Sequence, residues 1–166
     1  MSERSPLAFD PIERAGELWS DRIGDPSAMR LATSIMRVQQ LLIAEFDRTL
    51  KPFGITFARY EVLVLLSFSR TGRLPLSKIG ERLMVHPTSV TNAIDRLVEQ
   101  GLVKREVDEA DRRRVLASLT TDGKRVLKRA TAALMEIDFG LGVLDEKQTA
   151  TAYDVLRVVR GADFEA

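Results

Sequence analysis

The sequence predicts a mainly α-helical protein with one small β-hairpin. Apolar residues recur at helical spacing through most of the 166 residues, and only two short runs, 102–107 and 115–119, are typical of strands. The chain has no cysteine and one histidine, which excludes disulfides, Cys-ligated zinc and a multi-histidine metal site within one chain. We therefore expect one globular domain that holds no cofactor.

The overall charge gives no direct indication of a partner. The chain holds 25 Lys and Arg against 24 Asp and Glu, and 45% of its residues are hydrophobic, as in an ordinary soluble protein. Charges and two prolines interrupt residues 1–19, and the longest aliphatic run, 62–66, is far shorter than a membrane span. We therefore expect a cytoplasmic protein without a membrane partner.

The N-terminal part of the chain predicts a short appended helix and then a long one. Pro11 can open a helix over 11–23, which the Gly, Asp and Pro of residues 24–26 end. A long helix is predicted over 29–50, because its apolar residues form a single stripe. These residues are Leu31, Ile35, Val38, Leu42 and Phe46.

Three shorter helices are predicted next. We expect Thr56 to cap the first, 57–69, and Ser77 to cap the second, 78–84. The third spans 88–100 and ends at a glycine suited to a left-handed C-terminal cap. Its spacing predicts a buried face made of Val90, Ile94, Leu97 and Val98.

Two helices follow the predicted hairpin. The first spans about 120–139, and the second begins with a capping box formed by Asp145 and Gln148 and runs to about residue 160. The apolar stripes of these helices and of 29–50 exceed what one small domain covers, which predicts a two-fold homodimer. The alternative is that the stripes pack only within their own chain.

The helices 78–84 and 88–100 are joined by a tight turn, which is typical of a helix-turn-helix unit that binds DNA. The outer face of the second helix carries small hydroxyl and amide side chains that can approach base edges. The DNA-contacting residues predicted here are His86, Thr88, Ser89, Thr91, Asn92 and Arg96. The alternative is that they are ordinary solvent-facing residues, with His86 serving only in the turn.

Basic residues concentrate beside this helix. Residues 96–129 contain ten Lys and Arg against six Asp and Glu. The predicted hairpin carries Arg112, Arg113 and Arg114 at its tip, where they can contact phosphates and enter a minor groove. The alternative is a solvated hairpin held by Asp and Arg pairs, and both interpretations can hold at once.

The chain resembles the multiple-antibiotic-resistance regulator family, MarR, over nearly its whole length. The resemblance lies in LPLSKIGERLMVHPTSVTNAIDRLVEQGLVKREVDEADRRRVLASLTTDG, where the family has a helix, a recognition helix, a Leu-x-x-x-Gly-Leu-Val hinge, a wing rich in Asp and Arg, and Leu-Thr-x-x-Gly. The resemblance implies a winged helix-turn-helix homodimer with interlocking N- and C-terminal helices. It also implies that Asp111 braces the wing tip and that Arg113 reaches the minor groove.

By the same resemblance, residues 1–166 form a single domain. An appended arm would occupy 1–27, dimerisation helices 28–54 and 121–166, and the winged helix-turn-helix 55–120. The chain is also similar to a urate-responsive subgroup, which implies a ligand site at Trp19, Tyr60, Glu61 and Arg105. The alternatives are that Trp19 is a core anchor and that Glu61 is a surface or ion-paired carboxylate.

We therefore expect a sequence-specific transcriptional repressor that binds double-stranded operator DNA as a homodimer. The operator would be a pseudo-palindrome with half-sites about 10 bp apart. A small phenolic, aromatic carboxylate or urate-like effector would modulate it. The alternative is a winged-helix module that binds protein or RNA without a ligand response. An enzyme is not expected, because the sequence has no nucleophile elbow, phosphate loop or metal-ligand spacing.

Overall fold

A computed structural model describes residues 8–161, which fall into two compact units, one up to Ala44 and one from Glu45. The predicted fold class, mainly helical with a small sheet, is confirmed. In chain order the elements are α1 Pro11–Arg22, α2 Ser27–Leu50, α3 Phe57–Ser67, β1 Arg73–Pro75, α4 Leu76–Leu83, α5 Pro87–Glu99, β2 Val103–Val107, β3 Val115–Leu119, α6 Thr121–Glu136 and α7 Glu146–Arg160.

The first unit contains α1 and the part of α2 up to Ala44. Asp10 caps α1, because its carboxylate accepts a hydrogen bond of 2.8 Å from the backbone N–H of Ile12. Arg30 of α2 lies against Gly16 of α1 and forms an ion pair of 3.2 Å with Glu13. A Cβ at Gly16 would overlap the Arg30 guanidinium, so the missing side chain makes room for the arginine.

The core of the second unit is built from apolar side chains. Helix α3 packs against α5 and α6, and the sheet closes one side. The largest fully buried side chains are Leu50, Leu63, Leu66, Ile79, Val90, Ile94, Leu97 and Leu134. Each buried side chain of this size stabilises the fold by about 1.5–3 kcal/mol relative to its exposed state. The core therefore holds α5 with one face inside and the other face in solvent.

The sheet has the order β1-β3-β2 and is antiparallel throughout. Val103 lies opposite Leu119 in the hairpin, and Arg73 of β1 lies opposite Ser118. Sequence analysis predicted the hairpin but not β1, because three residues are too few to show an alternating pattern. Strand β1 ties the start of α4 to the base of the hairpin.

Of two predicted helix caps, Thr56 takes the N-cap position of α3 as expected but makes no side-chain hydrogen bond there, and Ser77 does not cap α4. The Thr56 side chain accepts no hydrogen bond from α3; the Asp47 carboxylate accepts one of 2.7 Å from the backbone N–H of Phe57 instead. Helix α4 begins before Ser77, and a proline of β1 takes the cap position. Asp47 lies ten residues before Phe57, so the local sequence around Thr56 gives no signal of the contact between them.

Several helix boundaries and one buried position also differ from prediction. Helix α2 begins two residues earlier than expected and α3 ends two residues earlier. Helix α6 ends before Phe139, which has a φ of 50° in the short 3-10 segment Asp138–Gly140. Val98, predicted to be buried, is 38% exposed, because α5 contacts the core through the narrower stripe of its other apolar residues.

Side chains cap both C-terminal helices, and the cap of α7 is the capping box that the sequence predicts. The Thr120 hydroxyl accepts a hydrogen bond of 2.9 Å from the Gly123 N–H at the start of α6. At the start of α7, the Gln148 N–H donates to the Asp145 carboxylate at 2.8 Å, and the Asp145 N–H donates to the Gln148 side chain at 3.0 Å. Gly101, with a φ of 70°, ends α5 in the expected left-handed conformation.

Candidate nucleic-acid interface

Helices α4 and α5 form a tight helix-turn-helix. The backbone N–H of Val85 donates to the carbonyl of Gly80 at 3.1 Å, which closes the turn. A Cβ at Gly80 would lie 3.3 Å from both the Val85 oxygen and a Val90 methyl group. The small residue therefore lets the turn and α5 approach α4 closely, which fixes the angle between the two helices.

His86 caps the N-terminus of α5. Its Nδ1 accepts a hydrogen bond of 3.2 Å from the backbone N–H of Thr88. The predicted DNA-contacting histidine therefore also has a structural role, because it satisfies a free N–H at the start of the recognition helix.

The outer face of α5 presents the predicted polar residues together. Thr88, Asn92 and Arg96 follow each other at intervals of four along the helix, so they share one face. Thr88, Ser89, Asn92 and Arg96 are exposed, and Thr91 is half-buried. Arg96 forms an ion pair of 2.8 Å with Glu99 one turn further along. The face combines short donors and acceptors with one long cation.

The acidic residues of the wing tip hold its backbone. Asp111 accepts hydrogen bonds from the Arg113 backbone N–H at 3.1 Å and from the Arg113 Nε at 3.3 Å. Asp108 accepts one of 3.0 Å from the Ala110 N–H and lies 3.7 Å from Arg114 Nη1. The hairpin is thus braced by Asp and Arg contacts, as one of the two sequence interpretations predicted.

The wing arginines still point into solvent. The Arg113 side chain is 93% exposed although its Nε contacts Asp111. Arg112 is exposed too, and among residues 8–161 it has no carboxylate within ion-pair distance. The guanidinium groups therefore extend beyond a fixed tip, and their contact with phosphates stays a prediction.

One ion pair joins the wing to the recognition helix. Arg105 Nη1 in β2 lies 2.6 Å from Asp95 Oδ1 in α5. Sequence analysis predicted Arg105 as a ligand-binding residue and gave Asp95 no functional role. No local pattern connects the two residues, and only the packing of β2 against α5 brings them together.

The other predicted ligand residues belong to two different units, Tyr60 and Glu61 to the second and Trp19 to the first. Tyr60 is buried, and its hydroxyl lies 3.1 Å from the Thr131 Oγ1 in α6. Its neighbour Glu61 is exposed on α3, and partial desolvation of its carboxylate raises its pKa above the usual range. Trp19 belongs to the first unit, where it is 37% exposed.

Large apolar side chains lie exposed on α7, and α7 has no buried residue. The exposed apolar side chains of α7 are Tyr153, Val155, Leu156, Val158 and Val159. In the first unit, α2 also exposes apolar side chains, among them Leu31, Met36 and Leu41. Several large apolar side chains exposed on one helix are typical of a surface that binds a protein partner.

The described residues were compared with two other kinds of feature, a metal site and a membrane-spanning helix. Over residues 8–161, no group of three or more His, Asp or Glu side chains is arranged to hold a metal ion. The described helices also include none that is both long enough and apolar enough to cross a membrane.

Comparison with known proteins places this geometry among transcriptional regulators. The MarR family model matches residues 55–115. The crystal structure of Sco5413, a MarR family transcriptional regulator from Streptomyces coelicolor, is 51% identical, with a TM-score of 0.79 over 84% of this chain and 99% of that chain.

Two further solved structures are similar at lower identity. A mutant MarR from E. coli complexed with operator DNA is 25% identical, with a TM-score of 0.71 over 86% of this chain and 97% of that chain. BpsR from Bordetella bronchiseptica, whose DNA binding is regulated by 6-hydroxynicotinic acid, is 25% identical. Its TM-score is 0.71, over 78% of this chain and 98% of that chain. The chain spans only 57 to 58% of the length of the curated relatives it matches first.

Proposed function

The chain belongs to the MarR family, and from that membership we propose that it is a sequence-specific DNA-binding transcriptional regulator. The observation that carries the proposal is the pairing of an exposed polar face on α5 with a braced wing tip that extends Arg113 into solvent. The similarity to a MarR structure that contains operator DNA supports it.

In this proposal α5 reads bases in the major groove. The Asn92 amide can pair with both the N6 and N7 positions of an adenine, and the methyl group of Thr88 can contact a thymine methyl. A well-formed bidentate pair discriminates against the wrong base by about 1–3 kcal/mol. Arg96 would exchange its ion pair with Glu99 for a guanine or a phosphate. Ser89, Thr91 and His86 would contact the backbone or base edges near the start of the helix.

The wing would contact the adjacent minor groove and its phosphates. Arg112, Arg113 and Arg114 supply the positive charge, and Asp111 holds the tip so that the Arg113 guanidinium needs little further ordering. Phosphate contacts of this kind give affinity for any sequence and make binding depend on salt. Because α5 would read bases and the wing would bind phosphates, substitutions in α5 should change the sequence preference, whereas substitutions in the wing should weaken binding to any sequence.

A homodimer completes the proposed function. The exposed apolar face of α7 would be covered by a second copy of the chain, as expected for a two-fold interface. Two recognition helices related by a two-fold axis would read half-sites about one helical turn apart, which requires a pseudo-palindromic operator. The regulator would be a repressor built as one domain, with the arm, dimerisation and DNA-binding segments expected from the sequence.

A small effector would complete the regulation. Regulation of BpsR by 6-hydroxynicotinic acid supports a phenolic, aromatic carboxylate or urate-like molecule as the effector class. Such a molecule changes DNA affinity only by binding more tightly to one conformation of the dimer than to the other.

The proposal is tested by comparing two substitutions on two kinds of DNA. A tight-binding duplex is first selected from random sequences, and affinities for it and for a scrambled duplex are measured. Asn92→Ala should weaken binding to the selected duplex by about tenfold and leave the scrambled duplex nearly unchanged. Arg113→Ala should weaken both alike. Arg125→Ala, which removes an exposed arginine of α6 paired with Asp122, serves as the control.

Equal losses on both duplexes for Asn92→Ala would contradict base recognition by α5. If no duplex is selected but the protein binds folded RNA or a protein partner, the DNA-binding proposal fails. The chain would then be a winged-helix module that binds RNA or protein.

A further inference from the structure

The turn between α2 and α3, residues 51–56, has a fixed backbone. Leu50 before it and Ile55 within it are buried. The Gly54 N–H donates to the Lys51 carbonyl at 3.0 Å, and Gly54 has a φ of 71°, which glycine adopts without strain. Asp47 of α2 holds the start of α3 on the other side of the turn. The turn is therefore tied both to the end of α2 and to α3.

Gln100, which directly follows α5, forms a hydrogen bond with this turn. Its Nε2 donates to the Gly54 carbonyl at 2.7 Å, across 46 residues of sequence. Because the acceptor belongs to the backbone, the amide contacts the fixed part of the turn and not a mobile side chain. Among residues 8–161, this is the one side-chain hydrogen bond that links α5 or its C-terminal cap to the chain before α3.

Apolar packing does not hold this end of α5. The buried stripe of the helix ends at Leu97, and residues 98–100 are all exposed. Directly after the helix, the Gly101 carbonyl accepts a hydrogen bond of 2.8 Å from the Thr120 hydroxyl, which precedes α6. The end of α5 is thus held by Thr120 on the side of α6 and by Gln100 on the side of α2.

We propose that Gln100 is a positioning residue, whose hydrogen bond to Gly54 fixes the angle between the recognition helix and the end of α2, residues 45–50. In the proposed homodimer, this angle helps to set the separation of the two recognition helices and thus the half-site spacing that the protein accepts. The effect on spacing rests on the proposed function, whereas the fixed angle does not depend on it.

The angle is measured by pulsed EPR between spin labels on Arg48→Cys and Ser89→Cys. Both positions are exposed, and the natural chain has no cysteine, so the labels attach nowhere else. The labelled chain is refolded with a large excess of unlabelled chain, so that nearly all measured distances lie within one chain.

Three variants of the labelled chain are compared with the chain that keeps Gln100. Gln100→Met has a side chain of similar length without a donor and should make the distance distribution about twice as wide, because the helix end loses a fixed contact. Gln100→Lys, whose ammonium group can donate to the same carbonyl, should restore the narrow distribution. Gln40→Met changes the same residue type on α2, where its side chain accepts a hydrogen bond from within that helix, and should have no effect.

The second arm uses chains without labels and measures DNA affinity for the selected duplex and for duplexes with one base pair added or removed between the half-sites. Gln100→Met should reduce the discrimination between these spacings about fivefold, as expected for the loss of one hydrogen bond. Its affinity for the scrambled duplex should stay unchanged. Gln100→Lys should recover the discrimination, because its added charge attracts all duplexes alike and cancels in the ratio. A purely structural role of Gln100 would instead lower all affinities together with the melting temperature.

The outcomes separate this inference from the proposed function. Equal distance distributions for Gln100→Met and the chain that keeps Gln100 overturn the positioning role, and so does a distribution that Gln100→Lys fails to restore. A wider distribution with unchanged discrimination between spacings overturns the effect on half-site spacing. If the distribution widens as expected but the protein binds no DNA, the fixed angle stands, while the effect on spacing fails together with the proposed function.

Discussion

Arg105 in β2 and Asp95 in α5 form an ion pair with 2.6 Å between Nη1 and Oδ1, and this pair joins the wing to the recognition helix. Both side chains are partly exposed, so solvent screens the attraction and its contribution to stability is at most about 1 kcal/mol. In the proposed function its greater effect is on position, because the wing and α5 would contact neighbouring grooves of one duplex at the same time.

A double-mutant cycle tests this positioning role. Asp95→Ala and Arg105→Ala should each weaken DNA binding several-fold with little change in melting temperature, and the double variant should be no weaker than either single variant. The pair Asp122 and Arg125 has the same 2.6 Å separation but lies within one helix, so the same cycle there should leave DNA affinity unchanged. Additive losses for Asp95 and Arg105 would show that each acts on DNA independently.

Gly123 is expected to tolerate no side chain. A Cβ at this position would overlap the backbone carbonyl of Leu102, and neither backbone can move without disturbing the hairpin base. Gly123→Ala should therefore destabilise the protein by about 1–3 kcal/mol, as overpacking usually does. Gly161→Ala, where a Cβ meets no atom of residues 8–161 within 4 Å, is the control. Equal unfolding midpoints for both variants in urea would contradict the close contact.

His86 is expected to stabilise α5 through its side-chain cap. His86→Ala removes the acceptor for the Thr88 N–H and should cost about 1 kcal/mol of unfolding free energy. His86→Asn supplies another acceptor and should recover most of that stability. Thermal unfolding of both variants measures the effect, and equal losses would refute the cap. DNA affinity that stays low in His86→Asn would show an additional direct contact with DNA.

Glu61 is expected to make stability depend on pH. Desolvation raises its pKa in the folded chain above the value of the unfolded chain, so folding is favoured by protonation. Its favourable contribution is complete below the unfolded value of about 4.5 and is lost as the pH rises through the raised pKa. Glu61→Gln should therefore increase the melting temperature more at pH 7 than at pH 4. An equal increase in melting temperature at both pH values would contradict the raised pKa of Glu61.

The apolar face of α7 is expected to form the dimer interface. Leu156→Glu places a charge within that face and should weaken self-association by at least tenfold in sedimentation equilibrium. Arg157→Glu changes the charge of the next residue, which is exposed and polar, and should leave the dimer intact. Dimers of equal stability in both variants would locate the interface elsewhere.

The sequence predicted the elements whose signals are local. The stripe that buries Val90, Ile94 and Leu97, the left-handed Gly101 and the capping box of α7 are all contained within a few neighbouring residues, and the structure confirms them. For the same reason, the polar outer face of α5 and the arginines of the wing could be placed correctly on their elements.

The features that sequence analysis missed depend on residues far apart in the chain. Asp47 caps α3 from the preceding helix, and β1 exists because β3 provides its partner. Asp95 and Arg105 meet only after β2 packs against α5. The spacing of apolar residues along the chain does not indicate contacts between residues that are far apart in the sequence.

A salt titration of DNA binding tests the central claim most directly. The logarithm of the association constant for the selected duplex should fall linearly with the logarithm of salt concentration, by about 0.9 for each phosphate neutralised. Arg113→Ala should reduce the size of that slope by about 1. No measurable binding at low salt, or an affinity that does not change with salt, would contradict a DNA-binding surface formed by α5 and the wing.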